Sequence, residues 1–135
     1  MSFVIDSSLT LAWVYADERT EEIERILDLV HGMGAWVPAI WHLEIANALQ
    51  QSMKQRRIDK RGRAQALANL GEMNIAVDPR TNDFAWSDTL SLADRFGLSS
   101  YDASYLELAR RKAFPLATLD RDLRAAGRKL GVILL

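Results

Sequence analysis

Short apolar runs recur along the chain at FVI (3–5), AWV (35–37), NIAV (74–77), PLATL (115–119) and GVILL (131–135). None alternates apolar with polar residues, as a strand with one wet face would. Helix-length segments separate them. That combination predicts strands buried on both faces, so a parallel sheet covered by helices on each side. In such sheets ligands bind beyond the carboxyl ends of the strands, where the strand order reverses.

The segments between the runs carry helical signals. After FVI, Ser7 and Ser8 offer N-caps for an apolar helix through Tyr15. In RTEEIERILDLV, Ile23, Ile26, Leu27 and Val30 follow the helical period, with glutamates in the first turns and Gly32 and Gly34 to stop it. A helix is expected over about 39–55, with Ile45, Leu49 and Met53 on one side. Another is expected over 60–73, with Ala64, Leu67, Ala68 and Gly71 on one face. Thr81 or Asn82 is a candidate cap for the next, whose face is Ala85, Leu92, Ala93 and Phe96. GLSSYDASYLELARR (97–111) and a segment from about 122 to 129 complete the set.

With 135 residues the chain suits one domain, 1–135. There is no cysteine, which excludes disulfides and thiolate metal sites, so a metal would need carboxylates or the two histidines, His31 and His42. No apolar run reaches membrane-spanning length, and the N-terminus lacks a signal-peptide pattern, so a soluble cytoplasmic protein is expected. The formal net charge of −1 hides an uneven distribution. The first 50 residues hold eight acids and two arginines, while 54–63 and 110–129 hold thirteen of the seventeen Lys and Arg. Each basic stretch alone reads as a solvated surface; a phosphate-contacting rim needs a second feature.

Some acids do not fit a solvated surface. Asp102 opens a helix on the face of Leu106, Ala109 and Ala113, where a plain core helix would place an apolar residue. Glu44 lies between Ile40 and Ala48 on its own face, and Asp6 and Asp120 end strands. Singly, each has an ordinary explanation. Asp6 and Asp120 could cap helices, Asp102 could serve a helix dipole, and Glu44 could be a rim residue. Asp6 and Asp120 would emerge at the carboxyl edge of the expected sheet, and if all four acids converge there the ordinary explanations no longer suffice. Carboxylates that share a site repel unless a cation is present, and hard divalent ions such as Mg²⁺ and Mn²⁺ suit oxygen ligands.

VIDSSLTLAWVY, VPAIWHLEIANAL, LSSYDASYLELARR and PLATLDRDLRAAGRKLGV, in that order, resemble the PIN-domain ribonucleases, most closely the VapC-type toxins of toxin–antitoxin pairs. The resemblance implies a three-layer α/β/α sandwich around a parallel sheet of four to five short strands, with an acidic pocket at its carboxyl edge. Asp6, Glu44, Asp102 and Asp120 match the family's acidic quartet, and Asp122 an additional acid found in part of the family. Ser8 and Thr118 match small hydroxyl residues of the pocket. One departure is KAFPL (112–116), where relatives often carry a glycine before the strand.

The implied activity is metal-dependent hydrolysis of RNA. Mg²⁺ or Mn²⁺ would be held by Asp6, Asp102 and Asp120, Glu44 would orient water or complete a second ion's shell, and Ser8 and Thr118 would position carboxylates. The basic residues at 54–63 and Arg110, Arg111, Lys112, Arg121 and Arg124 are candidate phosphate contacts. The family pattern also implies a homodimer and an antitoxin that covers the pocket. Trp13, Trp36, Trp41 and Trp86 read as core or interface residues, with Trp13 and Trp41 also candidates for a dimer contact or a partner groove. His42 points about 200° from Glu44 on a helix, which favours a structural or surface histidine over a general base.

Alternatives stay open in the sequence: a PIN fold that binds without catalysis, a phosphatase, a receiver domain with Asp78 after the third strand, or DNA as substrate. A haloacid-dehalogenase-type phosphatase wants Asp-x-Asp after its first strand, where this chain has DSS. A receiver wants paired acids there as well.

Overall fold

A computed structural model describes residues 2–135. In chain order the elements are β1 (Phe3–Ile5), α1 (Ser7–Val14), a 3₁₀ turn (Ala16–Glu18), α2 (Glu21–Met33), β2 (Ala35–Val37), α3 (Trp41–Lys54) and α4 (Lys60–Gly71). There follow β3 (Ile75–Val77), α5 (Thr81–Phe84), a π-helical turn (Ala85–Thr89), α6 (Leu90–Phe96), α7 (Ser100–Lys112), β4 (Leu116–Ala117) and α8 (Arg121–Leu130).

The sheet runs β3-β2-β1-β4 and every pairing is parallel. Val4 pairs with Trp36 on one side and Leu116 on the other. The GVILL run contributes a single parallel bridge, Leu116 to Leu134, rather than a full fifth strand. The chain steps outward from β1 to β2 and β3, then returns across the sheet to β4. Right-handed crossovers in opposite directions place their helices on opposite faces. The expected three-layer α/β/α arrangement results, and the order reverses between β1 and β4.

All three residues of β1 are inaccessible to solvent, as a central strand covered on both faces requires. Val30, Val37, Leu49, Leu92, Tyr105, Leu106, Leu108 and Leu123 complete the densest part of the core.

Several expectations need correction. Gly32 lies inside α2, and Gly34 at φ +78 ends it. The face of α4 that turns inward is Ala66 and Leu70, while Ala64, Leu67, Ala68 and Gly71 are exposed. The α4 sequence has small or apolar residues almost all round, so periodicity alone could not orient it. Thr81 does not cap α5; its hydroxyl donates to the Asp78 carbonyl and accepts from the Ala39 amide. Ala113 lies beyond α7 as its C-cap, exposed and at φ +55. Glycine is favoured at such a left-handed position. Trp13 and Trp41 are buried, donating to the Ile23 carbonyl and the Thr10 hydroxyl, so neither is free to form a dimer contact.

Candidate active site

Asp6 and Asp120 are both helix caps. Asp6 accepts from the Leu9 amide at 3.1 Å and starts α1; Asp120 accepts from the Leu123 amide at 2.8 Å and starts α8. The ordinary explanation for each acid therefore holds. It does not compete with the pocket, because a helix that starts directly after a parallel strand starts at the carboxyl edge of the sheet. Ser99 caps α7 through the Asp102 amide, which puts Asp102 in the first turn. Three helix N-termini, each with a partial positive charge, thus meet the acids.

Asp6 is 3% exposed and its carboxylate is held from several sides. Ser8 donates at 2.8 Å, Leu9 donates its amide, and Thr118 donates its hydroxyl. Thr118 in turn accepts from the Asp120 amide at 2.9 Å, and Ser8 accepts from the Leu119 amide at 3.2 Å. The two hydroxyls therefore stitch the ends of β1 and β4 together across the point where strand order reverses. Behind them, Trp41 donates to Thr10 and Thr10 donates to the Asp6 carbonyl, which locks the backbone of α1's first turn to α3.

Asp102 is half-buried between the others. Burial raises its pKa, and the negative charges of Asp120 and Asp122 raise it further. Burial also raises Glu44, and the charge of Asp102 adds to that. Burial pushes Asp6 up to about 6 despite its three donors, with a smaller push from Asp102. The side chains of Asp6, Glu44, Asp120 and Asp122 are therefore all within electrostatic reach of Asp102. The structure brings the sequence quartet together at the carboxyl edge, with Asp122 and the hydroxyls of Ser8 and Thr118 beside it.

No ion pair among the described residues involves any of the four. A cluster of oxygen ligands with surplus negative charge and no ion-paired basic side chain among the described residues fits Mg²⁺ or Mn²⁺ in donor type and in charge. Among the described residues no three of these acids, nor any with a histidine, form a ready-made coordination shell.

Two hydroxyl residues were missed by sequence. Tyr105 donates to Glu44 at 2.5 Å. Ser7 is a further hydroxyl beside Glu44, in the groove that both residues line. The only available signal was that Tyr105 follows Asp102 by three places and so shares its helix face. Beside Glu44, an open groove of about 520 Å³ is lined by Ser7, Leu11, Leu43, Asn47 and Tyr101.

The basic residues divide into two groups. Arg111 is not a free phosphate contact: it pairs with Asp78 and with Glu107 at 2.8 Å, and it lies over the Phe84 ring. Asp78 is 1% exposed and bound in that way, which removes it as a receiver-type phospho-acceptor. Arg57 is bonded to Asp17 and Glu18, and Arg124 donates to the carbonyls of Thr118 and Leu135. Lys112 lies over the Trp36 ring. Lys54, Arg56, Lys60, Arg61, Arg110 and Arg121 remain exposed. His42 is exposed, packed edge-on against Trp41.

Comparison with known proteins fits this geometry. The family model described as the PIN domain matches residues 3–129. Ribonuclease VapC3 of Pyrobaculum aerophilum is 28% identical over 123 residues, which covers 91% of this chain and 92% of that protein. Among solved structures, Mycobacterium tuberculosis VapC20, described as a Sarcin-Ricin loop cleaving toxin, superposes with a TM-score of 0.67 at 21% identity, covering 94% of this chain and 95% of its own. VapBC2 from Rickettsia felis, solved with a DNA fragment from its promoter, gives 0.69 at 13% identity over 100% and 98% of the two chains.

Proposed function

The chain belongs to the PIN-domain family, and on that premise we propose that it is a divalent-metal-dependent endoribonuclease, the toxin of a toxin–antitoxin pair. The observation that carries this reading is the gathering of Asp6, Glu44 and Asp120 around Asp102, with no side chain among the described residues ion-paired to them. The names and descriptions of its relatives supply the substrate class, RNA.

Asp6, Asp102 and Asp120 would hold Mg²⁺ or Mn²⁺, with Glu44 and Asp122 at the margin. When bound, such an ion offsets the carboxylate charge and supplies hydroxide near neutral pH. The protein's own part is positioning. Ser8, Thr118 and the Leu9 amide fix Asp6 so that it stays ionised while buried. Glu44 faces the same space from α3 and orients the attacking water. No side-chain nucleophile is required, and the chain has no cysteine to offer one. Arg121, adjacent to Asp120, is exposed at the edge where a flanking phosphate would lie.

An antitoxin and a second copy of the chain complete the reading. A toxin whose pocket is open needs a partner that closes it, and an arginine from that partner would pair with the free carboxylates. For the second copy the supporting feature is a strip of exposed apolar side chains: Leu43, Trp86, Leu90 and Tyr101. Trp86 is 91% exposed, and the groove it lines with Ile40, Leu90 and Tyr101 has no charged residue. A phosphate backbone would find no cation there, whereas a self-complementary apolar face suits a two-fold dimer.

One second reading is a PIN fold that binds a partner without cutting; among the described residues no three acids form a ready-made shell. Sequencing of RNA ends after induction tests the two, with Asp6→Asn as the control. New ends that appear with the wild type and not with the variant support cleavage. Identical ends in both overturn it. The same assay with matched DNA separates the nucleic-acid classes.

A further inference from the structure

Tyr105 has no exposed surface, and its hydroxyl donates to Glu44 across a separation of 61 residues. Its neighbours on α7 are Ala103, Leu106, Leu108 and Ala109, all buried. Phenylalanine would fill the same volume there and leave no polar atom to satisfy. A phenol at such a position needs a partner, and the partner it has is the one acid of the quartet that comes from α3. Asp102 and Tyr105 stand three apart on α7, so one helix face presents both an acid and the donor that reaches its neighbour acid.

The physics of Glu44 explains why a donor matters. Glu44 is half-buried and long, with three rotatable bonds. Asp102 repels it. A glutamate in that position relaxes toward water unless something holds it, because it gains both rotamer freedom and distance from a like charge. Asp6 is kept in place by three donors and its role as a cap; Glu44 has no such cap. Tyr105, with Ser7 beside it, is the counterweight.

We propose that Tyr105 is a positioning residue: its hydroxyl holds the Glu44 carboxylate in the pocket against the repulsion of Asp102. The proposal rests on the reading of the pocket as a cleavage site. It predicts that the hydroxyl acts through Glu44 and not through packing.

A four-variant cycle tests this: wild type, Tyr105→Phe, Glu44→Gln and the double variant, measured by steady-state RNA cleavage with Mn²⁺. Tyr105→Phe should lower kcat about tenfold with KM for RNA unchanged, the size of one lost charge-assisted hydrogen bond. In the Glu44→Gln background the same change should cost less than about twofold, since coupled partners are not additive. A second readout needs no metal and no RNA. With ¹³C-labelled glutamate, the Glu44 carboxyl resonance should shift in Tyr105→Phe while the other glutamates stay in place.

Glu44→Gln that cleaves like wild type overturns the reading of the pocket and the proposal with it. Glu44→Gln that is impaired, beside a fully active Tyr105→Phe, overturns the proposal alone. An equal loss from Tyr105→Phe in both backgrounds also overturns it, because the tyrosine would then only support the fold. An unmoved Glu44 resonance does the same.

Discussion

Thr118 donates its hydroxyl to the carboxylate of Asp6, although the two residues are 112 positions apart in the chain. The contact joins the ends of β1 and β4 and lowers a pKa that burial alone would push higher. Thr118→Val keeps the shape and deletes the donor. Asp6 should then hold its proton to higher pH, and the acidic limb of the pH–rate profile should move upward. A limb that stays in place would show that Thr118 does not govern the ionisation of Asp6.

Asp6 also predicts how stability depends on pH. Its folded pKa of about 6 is above the unfolded 3.8. A raised acid contributes stability that is fully present below the unfolded value and lost as pH rises through the folded one. In the metal-free protein at pH 7.5 the buried charge therefore costs on the order of 2–3 kcal/mol. Asp6→Asn should melt higher than wild type at pH 7.5 and lose that advantage near pH 4. Mg²⁺ or Mn²⁺ should raise the melting temperature of the wild type and leave Asp6→Asn unmoved. Parallel melting curves at both pH values would refute the account.

For cleavage itself, Asp6→Asn and Asp102→Asn should each cost more than the roughly 100-fold that loss of an outer partner of a metal site typically costs. Their circular dichroism should match the wild type. Full activity in both variants would remove these residues from the site.

Arg111 should behave as part of the structure. It is the shared partner of Asp78 and Glu107, both nearly inaccessible. Burial alone would raise Asp78, but the Arg111 guanidinium, the Arg80 amide and the Thr81 hydroxyl together hold its pKa below the usual carboxylate range. The stability from this pair is present above the unfolded pKa and lost as pH falls through the depressed one. Arg111→Met, which leaves two buried carboxylates unpaired, should destabilise the protein by about 3–5 kcal/mol. In contrast, neutralising Lys54, Arg56, Lys60 and Arg61 to glutamine should leave the melting temperature nearly unchanged. It should weaken RNA binding and flatten its salt dependence. An unchanged salt slope would exclude that stretch from the RNA contact.

Trp86→Asp places a charge in the middle of the exposed apolar strip. Light scattering should report a dimer for wild type and a monomer for the variant. A wild-type monomer, or a variant that stays dimeric, would refute this face as the contact.

The apolar runs revealed the sheet because a strand covered on both faces has no polar side to blur it. Asp6 and Asp120 were legible for a related reason: strand end and helix start nearly coincide there, so position along the chain fixes position in space. Tyr105 was hidden because an aromatic residue on an apolar helix face looks like core until its hydroxyl is traced to Glu44. Arg111 was misread because its partner Asp78 is 33 residues away and nothing local announces it. The α4 face was lost because Ala64, Leu67 and Ala68 imitate an inward stripe on a helix that turns Ala66 and Leu70 inward.

Because Asp6 and Asp120 each begin a helix as well as belong to the proposed acidic site, few substitutions there could remove the proposed activity and spare the fold. An alanine at either place would silence the pocket and fray α1 or α8 at once. Only asparagine, serine or threonine could disarm it while still receiving the amide three residues on. A descendant that had given up cleavage but kept its architecture would carry that narrow signature at positions 6 and 120.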